Sequence, residues 1–331
     1  MKKNRRAFLT TLSMGVAGAG LAASFPSWLV ENTRPPVLPF KLALSQFSLA
    51  SQFWTKQLDP LDFPAKTMKT FGIPGLDYCS MFFADKAKDS VFLNELKKRA
   101  TDSGCHNLRI MIDAEGVLGD LNKDERKKAV ENHYKWIDAA ATLACEMIRV
   151  NVEGEGDPKE VAKAAEESLK TLIEYGRKSN IDVIVENHIG ISCNGAWLAS
   201  VMKNMNSPHC GTLADFGNFC VSRTKPPTND IAGWMQTKCL EEYDRYKGIE
   251  ELMPYAKGIH AKTHVFDAAG NDTETDFSKM FHIIKKSGFN GWVSIEYEGG
   301  LLKMYGKDSK YLDDDAGVLA TKKLIEKVAA V

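Results

Sequence analysis

The chain has 331 residues, of which 44% are hydrophobic and 26% are charged. These proportions are those of an ordinary globular protein, and they exclude a chain that is disordered throughout or that crosses a membrane many times. Lysine and arginine together number 43, as do aspartate and glutamate, so the net charge is zero. A neutral chain has no overall positive field to hold a nucleic-acid backbone, and no nucleic-acid partner is expected.

The first residues resemble an export signal of the twin-arginine type. A basic start precedes a mildly apolar run rich in alanine and glycine, and residues 4–9 (Asn-Arg-Arg-Ala-Phe-Leu) match the pattern of such signals. We predict a signal peptide over residues 1–23 and a linker over residues 24–40. The protein is therefore expected to be periplasmic or otherwise extracytoplasmic, with no membrane anchor once the signal is cleaved.

Seven cysteines are scattered through predicted strands and helices. They are Cys79, Cys105, Cys145, Cys193, Cys210, Cys220 and Cys239. An odd number without a regular spacing favours mainly free, buried thiols over a disulfide framework.

From Lys41 onward, short apolar strands alternate with amphipathic helices. Eight strands are predicted, over residues 41–47, 75–80, 107–113, 147–152, 181–187, 211–216, 257–264 and 291–297. Helices are predicted over residues 60–71, 90–103, 123–143, 158–178, 195–205, 241–255, 276–287 and 314–330. Eight strand–helix units without a break in composition favour a single-domain (β/α)8 TIM barrel over residues 41–331. A doubly wound sheet would satisfy the same alternation.

The longest connection between a predicted strand and the next helix runs from Phe216 to Cys239 and contains two prolines and Trp234. In a barrel, the connections that follow the strands carry the binding and catalytic groups. We therefore expect this segment to shape or cover a substrate site.

Four consecutive predicted strands end in side chains that bind metals, namely Glu186, Asp215, His260 and Glu296. For each residue alone, a salt bridge or a hydrogen-bonded core position is the commoner role, and Asp215 also suits an Asx turn, which is compatible with ligation. The carboxyl ends of barrel strands share one face, however, so all four can meet there. Three carboxylates and an imidazole suit a divalent metal, manganese first, with magnesium, cobalt or zinc as alternatives.

Four motifs in the second half of the chain resemble those of the xylose-isomerase-like superfamily of sugar isomerases and epimerases. They are Val-Glu-Asn-His at 185–188, Asp-Phe-Gly-Asn at 215–218, His-Ala-Lys at 260–262 and Gly-Trp-Val-Ser-Ile-Glu-Tyr-Glu-Gly at 291–299. The resemblance extends from about Lys41 to the end of the chain. It implies a TIM barrel that holds one divalent metal through Glu186, Asp215, His260 and Glu296, and a small carbohydrate as the substrate.

Three positions depart from the pattern of the ketohexose 3-epimerases in that superfamily. Those enzymes carry Glu, His and Arg where this chain has Ser192, Asn218 and Phe266. In those enzymes, the Glu, His and Arg side chains all bind the substrate. The resemblance therefore does not extend to a free ketohexose.

The predicted metal site is suited to removing a proton next to a carbonyl group. A divalent ion that binds the carbonyl oxygen and the neighbouring hydroxyl stabilises the enediolate that forms. Glu186 and Glu296 would act as the acid/base pair on opposite faces of the carbon. Return of the proton gives an epimer or an isomer. If the enediolate instead expels a β-substituent, the enzyme is a lyase that acts on a 3-keto-glycoside. Export favours an unphosphorylated sugar or keto-sugar as the substrate.

Five further residues are predicted to contact the substrate: His188, Asn218, Lys262, Asn151 and Glu153. His188 follows Glu186 by two positions and is also a candidate proton shuttle, with a capping role as its alternative. Lys262 would steady the negative charge of the enediolate, and its alternatives are a salt bridge or the nucleophile of a Schiff-base aldolase.

Two other functions compete with the metal-dependent isomerase. An endonuclease of the related abasic-site branch would need several metals, and the neutral charge and the export signal oppose it. A non-catalytic sugar-binding protein is the second rival, and it is opposed by the intact Glu186 and Glu296. The sequence is compatible with a homo-oligomer and does not specify the oligomeric state.

Overall fold

The structure is a computed structural model that describes residues 37–228, 231–306 and 310–330. The predicted signal peptide and residues 24–36 of the predicted linker lie outside the described residues. Within the described ranges, no helix has the length and apolarity needed to cross a membrane.

The described residues form ten strands, numbered here in chain order. They are β1 (Lys41–Ser45), β2 (Gly75–Cys79), β3 (His106–Met111), β4 (Met147–Val150), β5 (Asp182–Glu186), β6 (Cys210–Asp215), β7 (Cys220–Arg223), β8 (Cys239–Glu242), β9 (Ala256–Thr263) and β10 (Trp292–Tyr297). All except β7 and β8 form a closed parallel barrel, in which β9 pairs with β6 and β10 pairs with β1. The predicted (β/α)8 barrel and its eight strands are confirmed.

Helices surround the barrel. They are α1 (Ala50–Trp54), α2 (Phe63–Lys66), α3 (Ser90–Asp102), α4 (Lys123–Leu143), α5 (Pro158–Arg177), α6 (Gly195–Met205), α7 (Ile231–Met235), α8 (Arg245–Leu252), α9 (Phe277–Ser287), α10 (Gly299–Gly306) and α11 (Asp314–Ala329). Polar residues cap the long helices: Asn122 accepts from the first backbone N–H groups of α4, and Asp157 does so at α5. Such caps satisfy donors that the first turn of a helix leaves unpaired.

The connection after β6 contains an antiparallel hairpin that the sequence pattern did not predict. Its strands β7 and β8 are joined by a disulfide between Cys220 and Cys239. The prediction of mainly free thiols is therefore wrong for this pair, because the hairpin brings two cysteines that are 19 positions apart to a Cα separation of 5.7 Å. The other five cysteines are free.

The helix predicted over residues 241–255 is shorter than expected. Glu241 and Glu242 belong to β8, and α8 begins only at Arg245. The reason is local, since the Asp244 side chain accepts hydrogen bonds from the backbone N–H groups of Tyr246 and Lys247 and so caps the helix.

The barrel has a core on each side of its wall. Outside, apolar side chains of the strands pack against the helices, among them Leu44, Ile110, Val183, Ile259, Trp136, Leu169, Phe281 and Leu324. Inside, a small apolar cluster is formed by Met147, Ile184 and Leu213. Each of these three residues lies two positions before a polar residue, and strand alternation therefore points those polar side chains into the barrel above the apolar cluster.

Candidate metal centre and substrate cavity

Glu186, Asp215, His260 and Glu296 meet inside the barrel, where Glu186 and Asp215 end β5 and β6, Glu296 is the next-to-last residue of β10, and His260 lies in the middle of β9. The parallel register places Asp215 beside His260. All four side chains are buried, and one ligand atom from each lies within 4.8 Å of the other three. The structure therefore brings together the four residues that the sequence predicts as metal ligands.

Each carboxylate of this group has one oxygen engaged by the protein. For Asp215, Oδ1 accepts hydrogen bonds from the backbone N–H groups of Gly217 at 2.7 Å and Asn218 at 3.0 Å. The Asx turn is thus present, and it leaves Oδ2 turned toward His260. The turn and a role in metal binding are compatible, because they use different oxygen atoms.

The two glutamates follow the same arrangement. Oε2 of Glu186 lies 2.8 Å from Nε of Arg149, and Oε1 faces the His260 ring at 3.4 Å. Oε1 of Glu296 accepts a hydrogen bond from the Ser45 hydroxyl at 2.8 Å, and Oε2 lies 3.3 Å from Nδ1 of His260. One oxygen of each carboxylate is held in place, and the other converges on the centre.

The His260 ring is oriented from beneath by Asp77, whose Oδ2 lies 3.3 Å from Nε2. Asp77 is itself held by Arg109 at 2.9 Å and by the Ser294 hydroxyl. A carboxylate behind a histidine is the usual support of a metal-binding imidazole. Sequence analysis missed this set because its members lie in the middle of β2, β3 and β10, within continuous buried runs.

The electrostatics of the group fit a bound cation. Burial raises the pKa of Asp215 well above its usual value, and the nearby Glu186 and Glu296 carboxylates add to the rise although Lys262 opposes it. Burial alone would lower the pKa of His260, but Glu296 and its other carboxylate neighbours raise it well above normal. Oδ2 of Asp215 and Nδ1 of His260 are buried and have no hydrogen-bond partner among the described residues. A divalent ion would satisfy both atoms and balance the carboxylates.

Lys262 lies beside this group in β9, and its side chain is 5% exposed. Nζ lies 2.8 Å from Glu298, 3.1 Å from Glu296 and 3.2 Å from the Asn218 side-chain oxygen. Burial alone would lower the pKa of this amine, but Asp215 and Glu296 raise it well above its usual value. A Schiff-base nucleophile must be a neutral amine, so this environment opposes the aldolase alternative.

A cavity of about 430 Å³ opens above the metal-binding group. Its lining includes His188, Asn218 and Lys262, which were predicted to contact the substrate. It also includes Asp113, Arg149 and Glu298, which sequence analysis missed. Arg149 and Glu298 each lie two residues from a position that was recognised, so strand alternation was the available signal for them.

Asn151 and Glu153 do not line the cavity. The Asn151 amide donates to Asp113 at 3.1 Å and its oxygen accepts from Arg149 at 3.2 Å, so this residue supports the cavity wall from behind. Burial raises the pKa of the Glu153 carboxyl. Glu153 lies close enough to His188, Asp113 and Arg149 of the lining to interact with their charges, so both predicted substrate contacts lie next to the cavity lining and neither is part of it.

Ser192 is buried in a tight turn. Its hydroxyl oxygen accepts from the backbone N–H groups of His188 and Ile189 and donates to the Ile189 carbonyl. This residue therefore shapes the segment that carries His188 and does not reach the cavity.

Comparison with known proteins agrees with the geometry. The model of the xylose isomerase-like TIM barrel family matches residues 68–321. Among solved structures, the chain is similar to D-psicose 3-epimerase from Clostridium cellulolyticum H10, with a TM-score of 0.61, 14% identity, and coverage of 88% of this chain and 100% of that chain. No protein of curated function matches the sequence significantly.

Two further structures share the fold. One is the IolI protein with a bound zinc atom, with a TM-score of 0.62, 13% identity, and coverage of 88% of this chain and 98% of that one. The other is 3-keto-D-glucoside 4-epimerase from E. coli, with a TM-score of 0.55, 12% identity, and coverage of 87% and 99%. Because the family model spans most of the barrel, the chain belongs to the xylose isomerase-like TIM barrel family.

Proposed function

We propose that this protein is a divalent-metal-dependent isomerase or epimerase that acts on an unphosphorylated sugar or keto-sugar through an enediolate. The observation that carries the proposal is the convergence of three carboxylates and one imidazole at the floor of a cavity on the carboxyl face of the barrel. Catalytic groups of TIM barrels occupy this face. The fold shared with several sugar epimerases supports the same assignment.

Glu186, Asp215, His260 and Glu296 would hold the metal, and we propose manganese because oxygen donors predominate. The bound ion supplies electrophilic stabilisation of negative charge on the substrate oxygens. Lys262 also lines the cavity, and its ammonium group lies 3.1 Å from Glu296, so it adds a second positive charge next to the candidate metal ligands. This arrangement favours an anionic state of the sugar over the neutral one.

Glu186 and Glu296 are the proposed acid/base pair. Their centre-facing oxygens approach the His260 ring from different strands, so that they can address a sugar carbon from two sides. One carboxylate takes the proton from the carbon next to the carbonyl, and the other returns a proton to the opposite face or to the neighbouring carbon. His188, whose Nδ1 has no hydrogen-bond partner among the described residues, is positioned to bind a substrate hydroxyl.

An unphosphorylated substrate fits the proposed export, because phosphorylated sugars are mostly intracellular. The disulfide between Cys220 and Cys239 supports an extracytoplasmic location, since disulfides persist in oxidising compartments.

The second candidate function is a lyase that eliminates the substituent of a 3-keto-glycoside. The shared fold with a 3-keto-D-glucoside 4-epimerase favours keto-glycosides as substrates. Proton removal is the same in both reactions, and they differ only in whether the enediolate is reprotonated or expels its β-substituent. Product analysis by mass spectrometry separates them, because only the lyase releases an aglycone.

The test is exchange of substrate protons with solvent, followed by NMR in D₂O with a panel of sugars and 3-keto-glycosides. We expect exchange with the manganese-loaded protein, loss of at least about 100-fold after EDTA treatment, and recovery when Mn²⁺ is returned. Glu186→Gln and Glu296→Gln should lose exchange, whereas Glu250→Gln on the exposed face of α8 should keep it. Sugar binding without exchange would instead identify a non-catalytic binding protein, and activity confined to sugar phosphates would refute the substrate assignment.

A further inference from the structure

The substrate cavity is much less polar away from the metal-binding group. Met81, Trp234, Leu301 and Leu302 contribute apolar surface to its lining. Its volume of about 430 Å³ falls in the range of pockets that enclose drug-sized ligands, which exceed a single sugar ring. The chemistry of the proposed function uses only the floor of this cavity, so the remaining space is available to a part of the substrate that does not react.

The hairpin of β7 and β8 supplies a distinctive part of this lining. Arg223, at the end of β7, stacks on the indole of Trp234, with its guanidinium carbon 4.6 Å from the ring centroid. Trp234 remains 43% exposed, although a side chain of this size usually gains by burial. Both residues line the cavity, so the exposed part of the indole is presented where a ligand can cover it.

Several bonds hold the Trp234 indole in this exposed position. The disulfide joins the two strands of the hairpin at Cys220 and Cys239. The Thr224 backbone N–H donates to the Lys238 carbonyl at 3.0 Å, which continues the pairing toward the tip. The Thr237 hydroxyl donates to the Trp234 carbonyl at 2.8 Å and fixes the turn that carries the indole. An exposed aromatic ring on a covalently tied hairpin is preorganised for binding.

We propose that Arg223 and Trp234 form an aglycone subsite that takes the aromatic ring of an aryl glycoside while its sugar ring occupies the metal centre. This inference rests on the proposed function and narrows its substrate class. A stacked indole and guanidinium pair binds a neutral aromatic ring through its face. The hairpin contributes two polar side chains to the lining, Arg223 and Thr237, and this low number of hydrogen-bonding groups favours an aromatic ring over a second sugar.

The test compares dissociation constants of methyl, 4-nitrophenyl and glucosyl D-glucosides, in both anomeric forms, by calorimetry on the manganese-loaded full chain. We expect one 4-nitrophenyl glucoside to bind about tenfold more tightly than its methyl counterpart, as expected for one aromatic stacking contact. Trp234→Ala should bring this ratio to within about twofold, and Trp234→Phe should preserve most of it. Leu240→Ala is the matched control, since Leu240 is 68% exposed on the same hairpin and does not line the cavity.

Equal affinity for methyl and aryl glucosides would overturn the subsite, as would an aryl preference that survives Trp234→Ala or an absence of binding by all the glucosides. A preference for the glucosyl glucoside that depends on Trp234 would assign the subsite to a second sugar instead. The proposed function fails separately: absence of proton exchange alongside an intact aryl preference counts against the enzyme and leaves the aglycone subsite standing.

Discussion

His260 is held on both sides of its ring. Nε2 faces Asp77 and Nδ1 faces the carboxylates of Glu186 and Glu296, so a bound ion would take the Nδ1 lone pair while the proton on Nε2 stays shared with Asp77. The Asp77 carboxylate also compensates the buried Arg109, so that one side chain both supports the imidazole and balances a charge. The geometry of the candidate metal ligands therefore depends on a residue that would not itself contact the ion.

Asp77→Asn tests this dependence. We expect the affinity for Mn²⁺ to fall by about 10- to 100-fold, the usual effect of losing a carboxylate behind a metal-binding histidine. Stability should also fall, by about 3–5 kcal/mol, because Arg109 is left buried without its partner. Affinity is measured by competition with a fluorescent chelator at a temperature where circular dichroism shows the variant folded.

Asp182→Asn is the matched control, since Asp182 also pairs with a histidine, His209 at 2.9 Å, but at the opposite end of β5. Its affinity for Mn²⁺ should equal that of the wild type. An affinity of Asp77→Asn for Mn²⁺ equal to that of the wild type would show that the His260 imidazole does not need the Asp77 carboxylate.

His264 links the cavity lining to the surface. Burial alone would lower its pKa, but hydrogen bonds to Glu274 and Glu298 raise it to about 10. The charged pairs therefore stabilise the fold fully below the ordinary histidine pKa of about 6.5, and this contribution is lost as the pH rises through about 10. Glu274 and Glu298 remain ionised throughout this pH range, so the loss of stability comes from deprotonation of the His264 imidazole.

The prediction is that wild type and His264→Gln differ in free energy of unfolding at pH 6 and converge above pH 10. Urea titrations at pH 6, 8 and 10.5 measure the difference. When the same comparison is made in the Glu274→Gln background, where one partner of His264 is removed, convergence should be complete at a lower pH. A difference that stays constant from pH 6 to 10.5 would contradict the assignment of charge to His264.

At the scale of strands, β9 passes close to the ion pair of Arg109 and Asp77 inside the barrel, and a side chain at position 258 would collide with Arg109. A Cβ atom at Gly258 would lie 2.1 Å from Nη1 of Arg109 and 2.9 Å from Cδ1 of Leu213. Arg109 is buried and tied to Asp77, so it cannot move aside cheaply. Gly258 therefore makes room inside the barrel for a charged side chain.

Gly258→Ala should lower the free energy of unfolding in urea by about 1–3 kcal/mol through overpacking. Gly306→Ala is the control, because a Cβ atom at that position meets nothing within 4 Å. Equal stability of Gly258→Ala and the wild type would mean that the Arg109 side chain has room to shift.

The barrel strands were predictable because each is a short apolar run between helical patterns, and their observed ends differ by no more than two residues from those predicted. The hairpin was not predictable in the same way. β8 contains Glu241 and Glu242 and is exposed, so it lacks the apolar alternation that marks a strand. Its pairing and its disulfide depend on the path of a long connection, which local periodicity does not encode.

At the scale of the whole molecule, the convergence of the candidate metal ligands was predictable, and most of the residues that support them were not. Glu186, Asp215 and Glu296 stand at or next to strand ends, where a polar side chain after an apolar run is conspicuous, and His260 lies within β9 in a His-Ala-Lys motif that the sequence analysis recognised. Residues such as Arg109 and Arg149 lie within the apolar runs, where a charged residue is taken as evidence against a buried strand and not as evidence for a functional site. Their partners are set by barrel closure, which joins strands far apart in sequence.

The export signal remains a prediction and can be tested on the full chain. We expect the protein to accumulate in the periplasm of a bacterium with a twin-arginine pathway. Replacing both arginines, Arg5→Lys with Arg6→Lys, should retain it in the cytoplasm, because the pathway recognises the arginine pair. Cell fractionation and immunoblotting give the readout, and unchanged periplasmic accumulation of the double variant would refute this route.

Closure of the barrel has a consequence for how the chain can be reconnected. Because β1 pairs directly with β10, the ring has no edge at which it must begin. Pro39 and Ala330 line the same cavity, so the two ends of the folded body are neighbours. A circular permutant that joins these ends through a short linker and opens the chain between α9 and β10 keeps every candidate ligand on its own strand. Such a permutant should bind metal like the parent, since the centre depends on the order of strands around the ring and not on their order in the gene.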